Sequence, residues 1–101
     1  MICIERLVQQ IRHDKWAELA ALEAKFNAIE GRLGFPPKRR LRCYVGGHTT
    51  NTLVVERQWE SLAAMEAVYE RAFADPAWQA LGAEAALIVK SNQYELYAPL
   101  P

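Results

Sequence analysis

Hydrophobic and polar positions along the chain change period several times, and each change marks a change of element. Ile2 to Ile11 is rich in β-branched residues, lacks Gly and Pro, and reads as a first strand. Its faces, Ile2, Ile4, Arg6, Val8 and Gln10 against Cys3, Glu5, Leu7, Gln9 and Ile11, each mix apolar with polar groups. That mixture fits a strand covered on both sides, where one cover is not a plain hydrophobic core. His13-Asp14 then starts a helix, with Asp14 as its expected N-cap. Trp16, Leu19, Leu22, Phe26, Ile29 and Leu33 recur at steps of three and four and form one apolar stripe. Gly31 and Gly34 weaken the helix end, and Pro36-Pro37 forbid continuation.

The period then drops to two. Over Lys38 to Gly46, Leu41, Cys43 and Val45 alternate with Arg40, Arg42 and Tyr44, which predicts a second strand. The run Gly46-Gly47-His48-Thr49-Thr50 turns the chain, so Thr52 to Gln58 returns as an antiparallel partner. A helix follows Ser61 with Leu62, Met65, Tyr69, Ala72 and Phe73 at helical spacing. Asp75-Pro76 restarts it as a shorter helix, an N-cap followed by Pro at the first helical position, with Trp78 and Leu81 as its stripe. Leu87 to Tyr97 is the last strand. The order β-α-β-β-α-(α)-β predicts an α+β, ferredoxin-like fold: a four-stranded antiparallel sheet with its helices on one face. The other face, holding aromatic, arginine and aliphatic groups, is too apolar to stand in water. Two copies stacking their open faces resolve this as a homodimer with a space enclosed between the sheets.

Composition narrows the function classes. The 101 residues are 51% hydrophobic, enough for one domain spanning residues 1–101 with its own core. Acidic and basic residues balance at a formal net charge of zero, which argues against nucleic acid or an anionic membrane as partner. The basic run Lys38-Arg39-Arg40-x-Arg42 reads instead as a charged edge-strand entry that discourages unwanted pairing. Cys3 and Cys43 stand alone in apolar segments and read as small buried groups rather than a disulfide. With no signal-peptide pattern and no apolar run near the ~20 residues of a membrane helix, a cytoplasmic protein is expected. His13 and His48 do not stand at metal-ligand spacing, so no metal and no cofactor is expected.

Several segments together resemble a known family. They are Glu5-Arg6 in the first strand, the Trp16–Phe26 helix and the Gly46-Gly47…Asn51-Thr52 hairpin. Beyond these come the junction Val55-Glu56-Arg57-Gln58-Trp59-Glu60-Ser61-Leu62, then Asp75-Pro76-Ala77-Trp78-Gln79 and Tyr94-Glu95-Leu96-Tyr97. Over nearly its whole length the chain resembles dimeric α+β barrel proteins, and among them the NIPSNAP type most. The resemblance implies the dimeric barrel. It does not imply a reaction, because the superfamily also holds antibiotic-biosynthesis-type monooxygenases, haem-degrading enzymes and isomerases. The haem-degrading members are similar at Trp59, but they place an Asn on the first strand and a His on the helix after that Trp. Here the first strand has no Asn and both histidines precede Trp59, so the resemblance does not carry haem chemistry with it.

The candidate site residues each have a plainer explanation beside the chemical one. Arg40, Arg42 and Tyr44 form either an anion-binding wall or a dimer-facing strand with ion pairs to Glu5 or Glu56. Glu56, in mid-strand beside Arg57, is either a general base with a raised pKa or half of an ion pair holding the dimer. Trp59 either stacks on a flat ligand or fills the strand-helix corner. Trp16, Trp78, Tyr69 and Phe73 lie on helical stripes and read as core, while Tyr94 and Tyr97 fall on opposite strand faces. Ser61 reads as a helix cap rather than a nucleophile. The expected ligand-binding set is therefore Arg6, Arg42, Tyr44, Glu56 and Trp59, around a small molecule held between the two sheets. An enzymatic alternative is a cofactor-independent monooxygenase or isomerase acting on a small aromatic or polyketide-like substrate. A structural alternative is a dimer or partner-binding module with a filled interior.

Overall fold

A computed structural model describes residues 1–101. Strand β1 (Cys3–Ile11) leads into helix α1 (Trp16–Leu33), and β2 (Lys38–Arg42) and β3 (Thr52–Trp59) form the hairpin. Helices α2 (Leu62–Phe73) and α3 (Pro76–Ala85) precede the last strand, β4 (Val89–Tyr97). The strands form one antiparallel sheet in the order β2-β3-β1-β4. This is the expected ferredoxin-like α+β order, in a two-layer slab of 38 × 37 × 18 Å.

The helix boundaries follow local chemistry. Ser61 caps α2, its side chain accepting from the Ala64 amide at 3.0 Å. Asp75 caps α3, accepting from the amides of Ala77 at 2.9 Å and Trp78 at 3.1 Å, with Pro76 next in the chain. Helix α1 departs from expectation: it starts at Trp16, and Lys15 stands at the N-cap with no side-chain cap. Asp14, one residue before it, makes no side-chain hydrogen bond to the helix. At the other end Gly34, with φ +93°, takes the left-handed conformation that L side chains resist, and its amide and that of Phe35 both return to the Glu30 carbonyl at 3.0 Å.

Strand β2 stops at Arg42, short of the expected Gly46. Its partner β3 begins only at Thr52, whose carbonyl still accepts from the Cys43 amide at 2.9 Å, so beyond Cys43 the alternation through Val45 continues in sequence with no strand beside it.

Residues directly opposite in an antiparallel pair share a face, and the register assigns every side chain. Cys3, Glu5, Leu7, Gln9 and Ile11 lie with Leu53, Val55, Arg57 and Trp59, with Lys38, Arg40 and Arg42, and with Tyr94 and Leu96. The helices cover this face. Ile4, Arg6, Val8, Gln10, Val54, Glu56, Arg39, Leu41 and Tyr97 occupy the open one. Under the helices the core falls into two clusters. One gathers Ile11, Leu19, Leu22, Leu53, Leu81 and Ile88; the other gathers Leu33, Phe35, Trp59, Met65, Val68 and Ala72.

Candidate functional site

Between the helix-covered face and the helices lies a cavity of about 520 Å³. Its lining is mostly apolar, with Leu7 and Val55 from the sheet and Leu22, Phe26, Met65 and Phe73 from the helices. Its polar wall is a chain of alternating charges. Register places Lys38, Arg57 and Glu5 side by side in one row across β2, β3 and β1. Above that row α1 lowers Glu23 and Glu30, two turns apart and so on one helix face.

The pairs interlock. Arg40 meets Glu23 at 2.9 Å, Glu23 meets Lys38, and Lys38 meets Glu30 at 2.8 Å. Glu30 meets Arg57 at 2.7 Å, and Arg57 reaches Glu5 at 3.7 Å. Glu5 is 2% exposed and Arg57 7%, burial that ionised groups tolerate only when paired. The Arg57 guanidinium also lies 4.8 Å from the centre of the Phe35 ring, yet its Nε has no hydrogen-bond partner.

Glu5 ends the chain and divides its two oxygens. Oε1 accepts from Trp59 Nε1 at 3.1 Å. Oε2 accepts from the hydroxyls of both Tyr69 and Tyr94, which are also within hydrogen-bonding distance of each other. Both phenols line the cavity. Burial first, and then donation to Glu5, pushes both above the ordinary tyrosine range, so both stay protonated. The Tyr94 ring reaches the surface at 53% exposure, while its hydroxyl end points inward to Glu5.

The residues expected to bind a ligand do not meet in one place. Arg6 and Glu56 lie on the open face at 3.8 Å from each other, within a row that continues to Arg39 at 3.2 Å from Glu56 and to Glu95 at 3.8 Å from Arg6. Arg42 lies on the helix-covered face, opposite Leu53, but at the sheet edge. Its guanidinium sits 3.9 Å from the Trp16 ring centre and its Nε donates to the Thr50 carbonyl at 2.7 Å. Tyr44 stands beyond the end of β2, 88% exposed. Trp59 does not line the cavity either; it donates to Glu5, the carboxylate that the two cavity-lining phenols Tyr69 and Tyr94 also contact. The space this subunit contains is also on the other side of the sheet from where a ligand was expected: it lies under the helices, not on the open face.

Glu5, Arg57, Glu30, Lys38, Tyr69 and Tyr94 are the residues the sequence reading did not gather. A signal existed for some. Glu5 interrupts the strand face of Cys3, Leu7 and Ile11, and Glu23 and Glu30 fall beside Phe26 on the apolar stripe of α1. No cluster of His, Cys, Asp and Glu is arranged to hold a metal ion. Both cysteines are free and both histidines are exposed.

A four-stranded antiparallel sheet with three helices over one face, holding a mostly apolar, half-open pocket with a buried ionic wall, defines a ferredoxin-like α+β protein with a pocket between its layers. Its structural neighbours include NIPSNAP family proteins. One from Agrobacterium tumefaciens superposes with a TM-score of 0.83 at 19% identity, over 98% of this chain and 86% of its own. A NIPSNAP domain protein from Burkholderia xenovorans gives 0.76 at 20% identity, over 97% and 94%. SnoaB, a cofactor-independent oxygenase from Streptomyces nogalater, gives 0.69 at 18% identity, over 99% and 93%. At these identities the likeness is one of fold. No protein-family model and no curated protein matches the sequence.

Proposed function

We propose that this chain binds a small molecule in the cavity between its sheet and its helices. The observation that carries the proposal is the cavity itself. Its volume of about 520 Å³ falls within the few hundred to ~1,000 Å³ typical of ligand sites, and it combines an apolar lining with a few fixed polar groups at one end. Mass spectrometry under native conditions, on protein purified from its own host, tests this directly: a bound small molecule is expected. The Gly82→Phe variant should lose it, since Gly82 lines the cavity and a side chain added there starts in open space. Retention of the molecule by that variant points to another site.

The Glu5 cluster favours a second, catalytic reading. A phenol that donates to a buried carboxylate can accept a proton from a ligand as it hands its own to the carboxylate, so Tyr69 or Tyr94 with Glu5 acts as one base without a free phenolate. Removing a proton from an activated carbon or hydroxyl is the first step of an isomerisation or a cofactor-independent oxygenation. SnoaB, with its shared fold, keeps the oxygenase in view. Glu5→Gln should abolish turnover of such a substrate while leaving binding within a few fold.

The same proposal includes the homodimer. On the open face Leu41, 40% exposed, lies in a row with Val54 and Val8, which are each only 5% exposed. A second copy laid on that face would bury Leu41. Two free cysteines suit a reducing cytoplasm, and no helix is long and apolar enough to cross a membrane.

A further inference from the structure

Taking the cavity as the ligand site, as proposed above, we infer that its ligand is an uncharged, flat, ring-containing molecule that presents a hydrogen-bond donor, a phenolic or enolic hydroxyl, to the oxygens of Tyr69 and Tyr94. Charge, proton count and the shape of the lining each contribute to this assignment.

The charge of the buried wall is already balanced, and Glu66, the remaining charged residue on the lining, is exposed to solvent. Glu5, Glu23 and Glu30 are matched one for one by Lys38, Arg40 and Arg57, and each acid touches at least one of these cations. An ionic ligand would leave water to find no unpaired counter-charge on the buried wall, and burying an unpaired ion is strongly unfavourable. A neutral molecule meets no such obstacle.

Proton counting fixes the polarity of the contact. Tyr69, Tyr94 and Oε2 of Glu5 form a triangle of three oxygens within hydrogen-bonding reach of one another. The phenols contribute one proton each, and the carboxylate facing Arg57 contributes none. Both protons are taken up inside the triangle, whether each phenol donates to Glu5 or one donates through the other. Toward the cavity the phenol oxygens therefore offer lone pairs and no proton. They accept, so the ligand group that satisfies them must donate. A carboxylate, a phosphate or a bare ketone has no proton to give at that position.

The rest of the lining selects the body of the molecule. Phe26, Phe73, Trp78 and Tyr69 line the space from the helix side, with Leu7 and Val55 as the floor. Four aromatic side chains across from an aliphatic floor favour a planar ring system, which stacks or packs edge-on against such walls.

A matched set of naphthalenes tests the inference: 2-naphthol, un-ionised at neutral pH, 2-methoxynaphthalene, which keeps the ring and oxygen but has no proton to donate, and 2-naphthoate, which is anionic. Binding is followed by tryptophan fluorescence and calorimetry. The expected order is 2-naphthol tightest, the methyl ether weaker by roughly tenfold, and the naphthoate weakest. In Tyr94→Phe, and in the Tyr69→Phe/Tyr94→Phe double variant, the preference for naphthol over its ether should shrink toward equality while affinity for the ether changes little. If all three bind but the ether or the naphthoate equals naphthol in the wild type, the donor assignment is overturned and the cavity stands as the binding site. If none binds, the cavity proposal falls and the inference with it. The order among the three probes needs only the wild-type protein, so a variant that fails to fold does not decide the matter.

Discussion

Replacing Arg57 with methionine tests the physical core of this structure. Arg57 is the one cation that faces both Glu30, at 2.7 Å, and Glu5, at 3.7 Å. It thereby links α1 to the centre of the sheet. Methionine is apolar and of similar length, so Arg57→Met removes the charge while leaving little void behind. Breaking a buried ion pair by deleting one partner costs about 3–5 kcal/mol, because the remaining charge is left in the interior. Two features place this case near the lower end. Lys38 still faces Glu30 at 2.8 Å, and Glu5 keeps the hydrogen bonds of Trp59, Tyr69 and Tyr94. A loss of about 3 kcal/mol is a large share of the ~5–15 kcal/mol by which a domain is stable. It should lower the melting temperature by roughly 12–24 °C, at about 4–8 °C per kcal/mol for a chain of this size.

The assay is urea denaturation followed by tryptophan fluorescence, comparing midpoints at unchanged slope. Arg57→Lys should fall between wild type and Arg57→Met, since an ammonium is a single point of charge and cannot fork between two acids as a guanidinium does. Glu30→Gln alone should cost less than Arg57→Met, because Arg57 retains Glu5 and Lys38 retains Glu23. The double variant should then be less destabilised than the sum of the singles, by roughly 1–2 kcal/mol of coupling. A loss below about 1 kcal/mol for Arg57→Met, or strict additivity with Glu30→Gln, refutes the network as what ties α1 to the sheet.

Other measurements probe independent features. Ser61→Ala should cost about 1 kcal/mol by freeing the Ala64 amide, read as a shifted urea midpoint. Tyr69 and Tyr94 are held above the ordinary tyrosine value of 10.0 by burial and by Glu5. Their folded pKa values exceed the unfolded ones, so the stability they contribute is complete below about pH 10 and is lost as the pH rises through the folded values. An alkaline titration of tyrosinate absorbance should show these two ionising only with unfolding, and Tyr69→Phe/Tyr94→Phe should flatten the alkaline fall in stability. Leu41→Glu places a charge on the open face where Leu41 aligns with Val54. If a second copy covers that face, light scattering should show a dimer for the wild type and a monomer for the variant.

Particular residues show what the sequence could reveal. Ser61 and Asp75-Pro76 act within two or three residues of themselves, so their meaning is local and the structure keeps it. The apolar stripe of α1 likewise survives, because burial follows a period the chain itself carries, whereas in α2 Met65 and Ala72 are buried but Leu62 and Phe73, expected on the same stripe, are 48% and 66% exposed. The β2 strand shows the opposite. Its alternation was plain, but which of its two sets faces the helices depends on register against β3, and that register puts Arg40 and Arg42 on the helix side and Leu41 on the open side. Glu5 and Arg57 are further apart still. Each stands in its strand as an unexplained charge, and only the β1–β3 ladder makes them neighbours. A site assembled from β1, α1, β2, β3, α2 and β4 has no compact motif to display.

Adjacent positions in the strands carry the same feature on both faces. Lys38, Arg57 and Glu5 form a charged row beneath the helices, and their chain neighbours Arg39, Glu56 and Arg6 form another on the open side, extended by Glu95. The sheet thus has a belt of charge through its middle. This belt accounts for a core divided into two clusters, one around Ile11, Leu53 and Leu81 and the other around Trp59, Phe35 and Val68. Apolar residues of similar volume in place of Lys38, Arg57, Glu5 and Glu30 would join the clusters, and substitutions of that kind are often neutral or stabilising in other proteins. Stability alone therefore does not require the belt. Tyr69 and Tyr94 hold their protons against its Glu5 end, and Arg57, Lys38 and Glu30 line the cavity beside it. A packing defect has no reason to be edged by a connected set of ion-paired and phenolic groups; a binding site needs groups of this kind held in fixed positions before the ligand arrives.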